Sequence, residues 1–253
     1  MTNTGFGRAN GSRPVIVVVV VVVAALLLGL IGVELYARHK ASSLIADAVQ
    51  CEVRDTASVS FSAIPPVLWQ YLSGHYTDIS VQTAGNEIRG AKGMQIDLDV
   101  HDIQLKKSAD SKGTIGSING SITWSSDGIK KSIEDVIPTI GSLVADSVTT
   151  NPGDGTISLK GLLDSATLKP QIVNNGLSLQ VVKLSALGHQ LQTDSVQSHL
   201  DDLTSMATKD YPLSIHADSV QVTDTGVVTK FSAQNATIPA GGGSSTDSCF
   251  GKV

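Results

Sequence analysis

From Val15 to Val33 the chain carries no charged or strongly polar side chain, and Val15 to Val23 is almost pure valine. At about 1.5 Å per residue a helix of this length spans close to 30 Å, the thickness of a bilayer's hydrocarbon core. Arg8 and Arg13 precede the run and Glu34 ends it. Positive charge ahead of an apolar helix keeps the N-terminus in the cytoplasm and sends the remainder across. A buried core helix is the plainest alternative, and a cleaved signal peptide the closest one. A cleaved signal has a shorter apolar centre followed by a small-x-small site, and Glu34 to Lys40 offers none. The expectation is therefore a cytoplasmic segment over 1–14, a single-pass plasma-membrane anchor over 15–35 and an extracytoplasmic domain over 36–251. Cleavage would make that domain secreted or periplasmic.

The two cysteines suit such a compartment. Cys51 follows the anchor closely and Cys249 lies near the other end, so they bracket nearly the whole exported part. With two cysteines only one intramolecular pairing exists, and an oxidising environment permits it. The alternative is two unpaired thiols; lacking a CxxC spacing or a nearby histidine cluster, they make poor metal ligands.

Beyond the anchor the apolar period changes from helical to alternating. Leu44, Ile45, Ala48 and Val49 share a helix face within 36–50. Ala57, Val59, Phe61 and Ala63 then alternate with serines, as a strand with one dry face does. Pro65-Pro66 stops that strand and opens a short amphipathic turn, Val67 to Leu72, closed by Gly74. Ile79 and Val81 begin a further strand. The clearest alternation is Met94, Ile96, Leu98 and Val100 against Gln95, Asp97 and Asp99. Its phase flips at Ile103 and Leu105, which predicts a β-bulge near His101-Asp102.

Ile118, Ile122 and Trp124 give another strand, and Asp127 is the expected N-cap of a helix reaching Ile137 before Pro138. Ile157, Leu159, Gly161 and Leu163 alternate, as do Leu177, Leu179 and Val181 after Asn174-Asn175-Gly176. A helix over 195–209 should turn Val196, Leu200, Leu203 and Met206 inward and Asp201-Asp202 outward. Strands around Leu213, Ile215, Val220 and Val222, and around Val227 to Phe231 after Asp224-Thr225-Gly226, complete a second helix-then-hairpin block. That block has the same order as the one at 128–160, a weak internal repeat. The fold class is α+β, an antiparallel sheet with a few helices packed on it.

Chemistry is sparse. A net charge of -5 leaves no basic face for phosphates, which excludes general nucleic-acid binding. Neither a GxSxG elbow nor an HExxH helix occurs, and the six histidines are scattered singly. His101 beside Asp99 and Asp102 is the densest group of ligand-capable side chains, and alternation puts Asp99 and His101 on a solvated strand face. The reading is no enzyme, no metal and no cofactor. Large aliphatics on the strands could instead line an acyl-chain groove: Val59, Phe61, Met94, Ile96, Leu98, Ile118, Ile122, Trp124, Leu179 and Val181. The plain alternative is that these residues fill an ordinary core, leaving a structural or docking protein.

Pro65-Pro66-Val67-Leu68-Trp69-Gln70-Tyr71-Leu72-Ser73-Gly74-His75-Tyr76, then Ile88-Arg89-Gly90 and Met94 to Leu105, resembles the LmeA-like family of envelope phospholipid-binding proteins. The closing helix, Tyr211-Pro212-Leu213 and the strands around Asp224-Thr225-Gly226 share the likeness, which covers most of 40–251. The resemblance implies a tubular-lipid-binding-like fold: a strongly curved antiparallel sheet wrapped around a helix and enclosing an apolar groove. It also implies a phospholipid or related lipid as ligand, with envelope glycolipid biosynthesis proteins as partners in lipoglycan or envelope maturation.

Overall fold

The computed structural model describes residues 12–136, 146–161, 164–186, 189–190, 193–208, 213–240 and 249. The apolar run and the helical pattern that follows it form one continuous helix, α1 (Ser12–Val53). Valine is a modest helix former in water, but hydrocarbon offers the backbone no other hydrogen-bond partner, so there the helix wins. Over 17–33 its large side chains are exposed, and only the later turns pack, with Ala48 and Val53 buried. The helix ends where Arg54 takes a left-handed backbone (φ 65°) and its N–H reaches the Gln50 carbonyl at 2.9 Å.

Thirteen strands follow among the described residues, all paired antiparallel. The first sheet has the order β1 (Ala57–Phe61), β2 (His75–Thr83), β5 (Met94–Gln104), β6 (Ser111–Ser125), β13 (Gly226–Pro239), β12 (His216–Thr223). The second runs β11 (His189–Gln190), β10 (Gly176–Ala186), β9 (Asp164–Val173), β8 (Thr156–Lys160), β7 (Ser147–Asn151). β3 (Glu87–Ile88) and β4 (Ala91–Lys92) form a small ribbon, and α2 (Val67–Ser73), α3 (Ser126–Val136) and α4 (Asp194–Thr208) complete the described elements. The α+β class is as expected. The strong curvature and the wrapping around a helix are not confirmed: neither sheet is closed or strongly curled, and α1 runs against the edge strand β1.

Two apolar clusters hold the fold. The larger joins both sheets to α3, α4 and the end of α1, around Trp124, Met94, Ile129, Leu168, Leu179 and Leu200. Trp124 can be fully buried because its indole N–H donates to the Lys92 carbonyl at 2.8 Å. That carbonyl belongs to a corner that presses on α3, and glycine is required there on both sides. A Cβ on Gly128 would lie 2.4 Å from the Lys92 oxygen and 2.7 Å from Gly93 Cα. Gly128→Ala is therefore expected to cost about 2 kcal/mol by overpacking, read as a lower denaturant midpoint. An unchanged midpoint would mean that the corner gives way without cost.

Several local expectations shift by a residue or two. The α3 cap is Ser125, whose hydroxyl accepts the Gly128 N–H at 3.0 Å, while Asp127 lies inside the first turn. In α4, Leu200 and Leu203 are buried and Val196 half-buried, but Met206 is 52% exposed and Ala207 takes the inward place. The spacing 196, 200, 203, 207 follows the helix face, and Met206 falls beside it. β8 ends at Lys160, so Gly161 does not extend it. Ile137, Pro138, Leu143, Leu163 and Tyr211-Pro212 lie outside the described residues. The helix-then-hairpin order does occur twice, with the hairpin β7–β8 in the second sheet and β12–β13 in the first.

The phase flip after Val100 is present, but no bulge makes it. His101 pairs with Ser117 and Ile103 with Ile115, so the register is unbroken and no residue is inserted. Asp102 (φ 53°) and Asn235 (φ 50°) instead turn left-handed in one row across the sheet, with Gly116 between them. Left-handed residues reverse the pleat in β5 and β13 at the same row, and Ile103, Ile115 and Ala236 stay on the dry face with Val100, Ile118 and Ala233. Gly116 is needed because the Asp102 side chain lies over it; a Cβ there would meet Asp102 Cβ at 2.9 Å.

Candidate functional site

Cross-strand register sorts the first sheet into two faces of opposite character. On one face Ser58, Gln82, Asp97, Ser121 and Lys230 lie in a row, and Ser60, Ser80, Asp99, Asn119 and Ser232 in the next. These side chains partner one another: Ser80 Oγ donates to Asp99 and Gln82 Nε2 to Asp97, each at 2.6 Å. A shallow depression of about 260 Å³ lies among Ser58, Ser60, Ser80, Gln82, Asp97 and Asp99 on this side, floored by Val81 and Leu98.

The group suspected of ligand chemistry is dispersed. His101 Nδ1 lies 2.6 Å from Asp78, Asp102 lies 2.7 Å from His75 Nε2, and Asp99 is held by Ser80. Among the described residues no three His, Cys, Asp or Glu side chains converge as a metal site would require. All three groups therefore serve the solvated face of the sheet.

The opposite face is apolar, and its two halves differ. Near the β4–β5 corner it is covered by the second sheet, and there Met94, Ile122, Trp124, Leu179 and Val181 fill the larger cluster. Met94, Trp124 and Leu179 are fully enclosed, while Ile96 is half-buried at the margin. Beyond that margin lies the second cluster, Ile103, Ile115, Ile118, Ala233 and Ala236. Around it Tyr76, Ile79, Leu98, Val100 and Ile238 are only half-buried, Leu213 and Ile215 from the segment before β12 pack against it, and no helix residue is among its described members. Phe61 (8% exposed) and the half-buried Val59 continue this surface onto β1. The Phe61 and Tyr76 rings are tilted at a centroid distance of 6.1 Å. Burial, with the Tyr71 phenol nearby, pushes the Tyr76 phenol above its usual range, as a low-polarity surface does.

The ten residues expected to line a groove thus divide. Met94, Ile122, Trp124, Leu179 and Val181 belong to the enclosed core and Ile96 borders it; Ile118 is buried in the second cluster and Phe61 is buried on β1, so only Val59 and Leu98 lie half-buried toward the open side. Sequence reasoning passed over Tyr76, Val100, Ala233 and Ala236. Val100 was visible in the alternation; the alanines on β13 carry no hydrophobic signal strong enough to mark a face.

Cys51 and Cys249 lie at disulfide distance, with Cα atoms 5.6 Å apart, and tie the far end of the chain to the last turns of α1.

By fold and site this is an α+β protein that joins an apolar helix of membrane length to a sheet with a half-open aliphatic face. The LmeA-like phospholipid-binding family matches residues 28–232, and the chain belongs to that family. It is 54% identical over 216 residues to the uncharacterized protein Rv0479c of Mycobacterium tuberculosis and, equally, to Mb0489c of Mycobacterium bovis. The match covers 85% of this chain and 62% of each relative, so the chain spans less than two thirds of the length of the relatives it matches. No solved structure matches.

Proposed function

We propose that the chain is a non-enzymatic phospholipid-binding protein of the cell envelope that holds or passes lipid on the half-open face of its first sheet. The observation that carries this reading is the second apolar cluster, a patch of aliphatic strand residues against which Leu213 and Ile215 pack but no described helix does, and whose rim at Ile79, Leu98 and Val100 is half-buried. Acyl chains would lie along the half-buried Ile79, Leu98 and Val100 while the headgroup stays toward water. Each buried methylene contributes about 0.8 kcal/mol, so a pair of acyl chains would supply ample affinity. The apolar part of α1 would anchor the protein in the plasma membrane, with Arg8 and Arg13 cytoplasmic and the sheets outside. Proteins of envelope glycolipid synthesis are the fitting recipients or donors of such a lipid.

The competing reading is a docking protein without ligand, favoured by the tight filling around Met94, Trp124 and Leu179. A phospholipid with a photoreactive diazirine in its acyl tail separates the two, using the full chain in vesicles. Adducts on Ile79, Leu98 or Val100 are expected, and Leu98→Gln should deplete them several-fold. Adducts confined to residues 17–33 would sink lipid binding by the sheet and favour docking.

A further inference from the structure

The short helix α2 is built the wrong way out for a soluble protein. Its buried residues are Val67 and Gln70, the latter a glutamine whose amide donates to the Pro65 carbonyl (2.6 Å) and accepts the Thr77 N–H (3.1 Å). Its large apolar side chains face outward: Trp69 is 65% exposed, Tyr71 71% and Leu72 78%, with Ile64 just before the helix at 85%. Scattered exposed apolar residues are ordinary, but an aromatic and aliphatic cluster on one short element is not.

The position of α2 supplies a reason. Glu34 is the first charged residue after the apolar run of α1, and its carboxylate accepts the Val67 N–H at 2.7 Å and the Leu68 N–H at 3.1 Å. Arg38, one turn on, donates to the same carboxylate (3.1 Å) and to the Phe61 and Ser62 carbonyls (2.8 and 3.1 Å). The outward face of α2 is thereby fixed at the level where the apolar helix stops. Gly74, which ends α2 in a left-handed conformation, accepts the Leu105 N–H at 2.7 Å. Leu105 is 48% exposed and is followed by exposed Lys106 and Lys107. Trp and Tyr are the side chains that favour the headgroup level of a bilayer, aliphatics reach just below it, and lysines meet anionic headgroups.

We propose that Ile64, Trp69, Tyr71, Leu72 and Leu105, flanked by Lys106 and Lys107, form a membrane-surface platform that seats the folded domain on the bilayer crossed by α1. The occupant is the surface of that bilayer, chosen by the continuity of the platform with the end of the apolar helix. The proposal rests on α1 lying in a membrane; it does not depend on lipid binding by the sheet. A domain seated this way has a fixed stance beside its anchor.

Trp69 and Trp124 are the protein's two tryptophans, and Trp124 is sealed in the core, so Trp69 reports on the platform. The test uses the full chain in phosphatidylcholine–phosphatidylglycerol vesicles, with lipids brominated high on the acyl chain as quenchers. The emission component removed by Trp69→Phe should fall roughly two-fold with bromolipid and resist aqueous iodide, as an interfacial indole does. Trp69 emission open to iodide and untouched by bromolipid, in a chain that floats with the vesicles, would overturn the platform and leave the anchor standing. Emission shielded from both would put Trp69 against protein and overturn it equally. A chain that fails to float with the vesicles would remove the anchor and the platform together. Lipid adducts on the sheet are scored separately, so failure of lipid binding there is distinguishable from failure of the platform.

Discussion

Cys51→Ser is expected to lower the free energy of unfolding by about 5 kcal/mol, the largest effect of any single substitution considered for this chain. The two cysteines are 198 residues apart in sequence, so pairing them closes a loop that contains nearly all of the folded part. An unfolded chain held at two such distant points loses many of its conformations, and by chain entropy alone the folded state gains about that amount. Against a typical total of about 5–15 kcal/mol, the loss would leave the fold marginal. Cys51 is exposed, so serine opens no cavity there and the effect is cleanly that of the lost link. The measurement is denaturant unfolding followed by the buried Trp124, with and without reductant. Reductant should lower wild-type stability to that of Cys51→Ser and leave the variant unchanged. Equal midpoints for wild type and variant under oxidising conditions would show that the pairing does not constrain the chain.

The second large effect belongs to Asp55. Immediately after α1, its carboxylate is 4% exposed and accepts four donors. Thr56 N–H lies at 2.9 Å, Gly85 N–H at 2.7 Å, Asn86 N–H at 3.0 Å and the Asn86 side-chain amide at 2.8 Å. This one side chain ties the helix exit to the turn between β2 and β3. Asp55→Ala would leave four donors without their acceptor in a buried place, an expected loss of about 4 kcal/mol. Asp55→Asn is no repair, since its amide nitrogen would face N–H groups.

Burial alone would raise the Asp55 carboxyl, but the bonds from Asn86, Gly85 and Thr56 outweigh it and hold the group below its usual range. A carboxyl lowered in the folded state binds its proton more readily when unfolded. Its contribution is therefore fully present above about pH 4, the unfolded value, and is lost as pH falls through the lower folded value. The stability difference between wild type and Asp55→Ala should stay constant from pH 7 to about 5 and shrink below about 4. A difference that persists undiminished at pH 2 would show that the hydrogen bonds survive protonation.

Local periodicity carried much of the architecture. Strands β1, β5, β6 and β10, the turn at Asn174-Asn175, the helix α4 and the pairing of Cys51 with Cys249 all follow from alternation, helical spacing or cysteine count. What periodicity could say about β5 was that its dry side changes phase after Val100. It could not tell an inserted residue from a left-handed one in an unbroken register, because that difference lies in the partners Gly116 and Asn235, on other strands.

The same limit governs the site. An aliphatic residue in an alternating strand must turn from water, and sequence fixes that much for Met94 and Leu98 alike. Whether it meets a second sheet or a half-open surface depends on where β9, β10 and α4 stack, and that is decided by packing over long range. The outward display of Trp69, Tyr71 and Leu72 is likewise a tertiary outcome: Gln70 takes the inner place through its hydrogen bonds to Pro65 and Thr77, and Glu34 clamps the helix from another element. The apolar run before Glu34 needed no tertiary information, since a stretch so long and so apolar leaves few solvents in which it can rest.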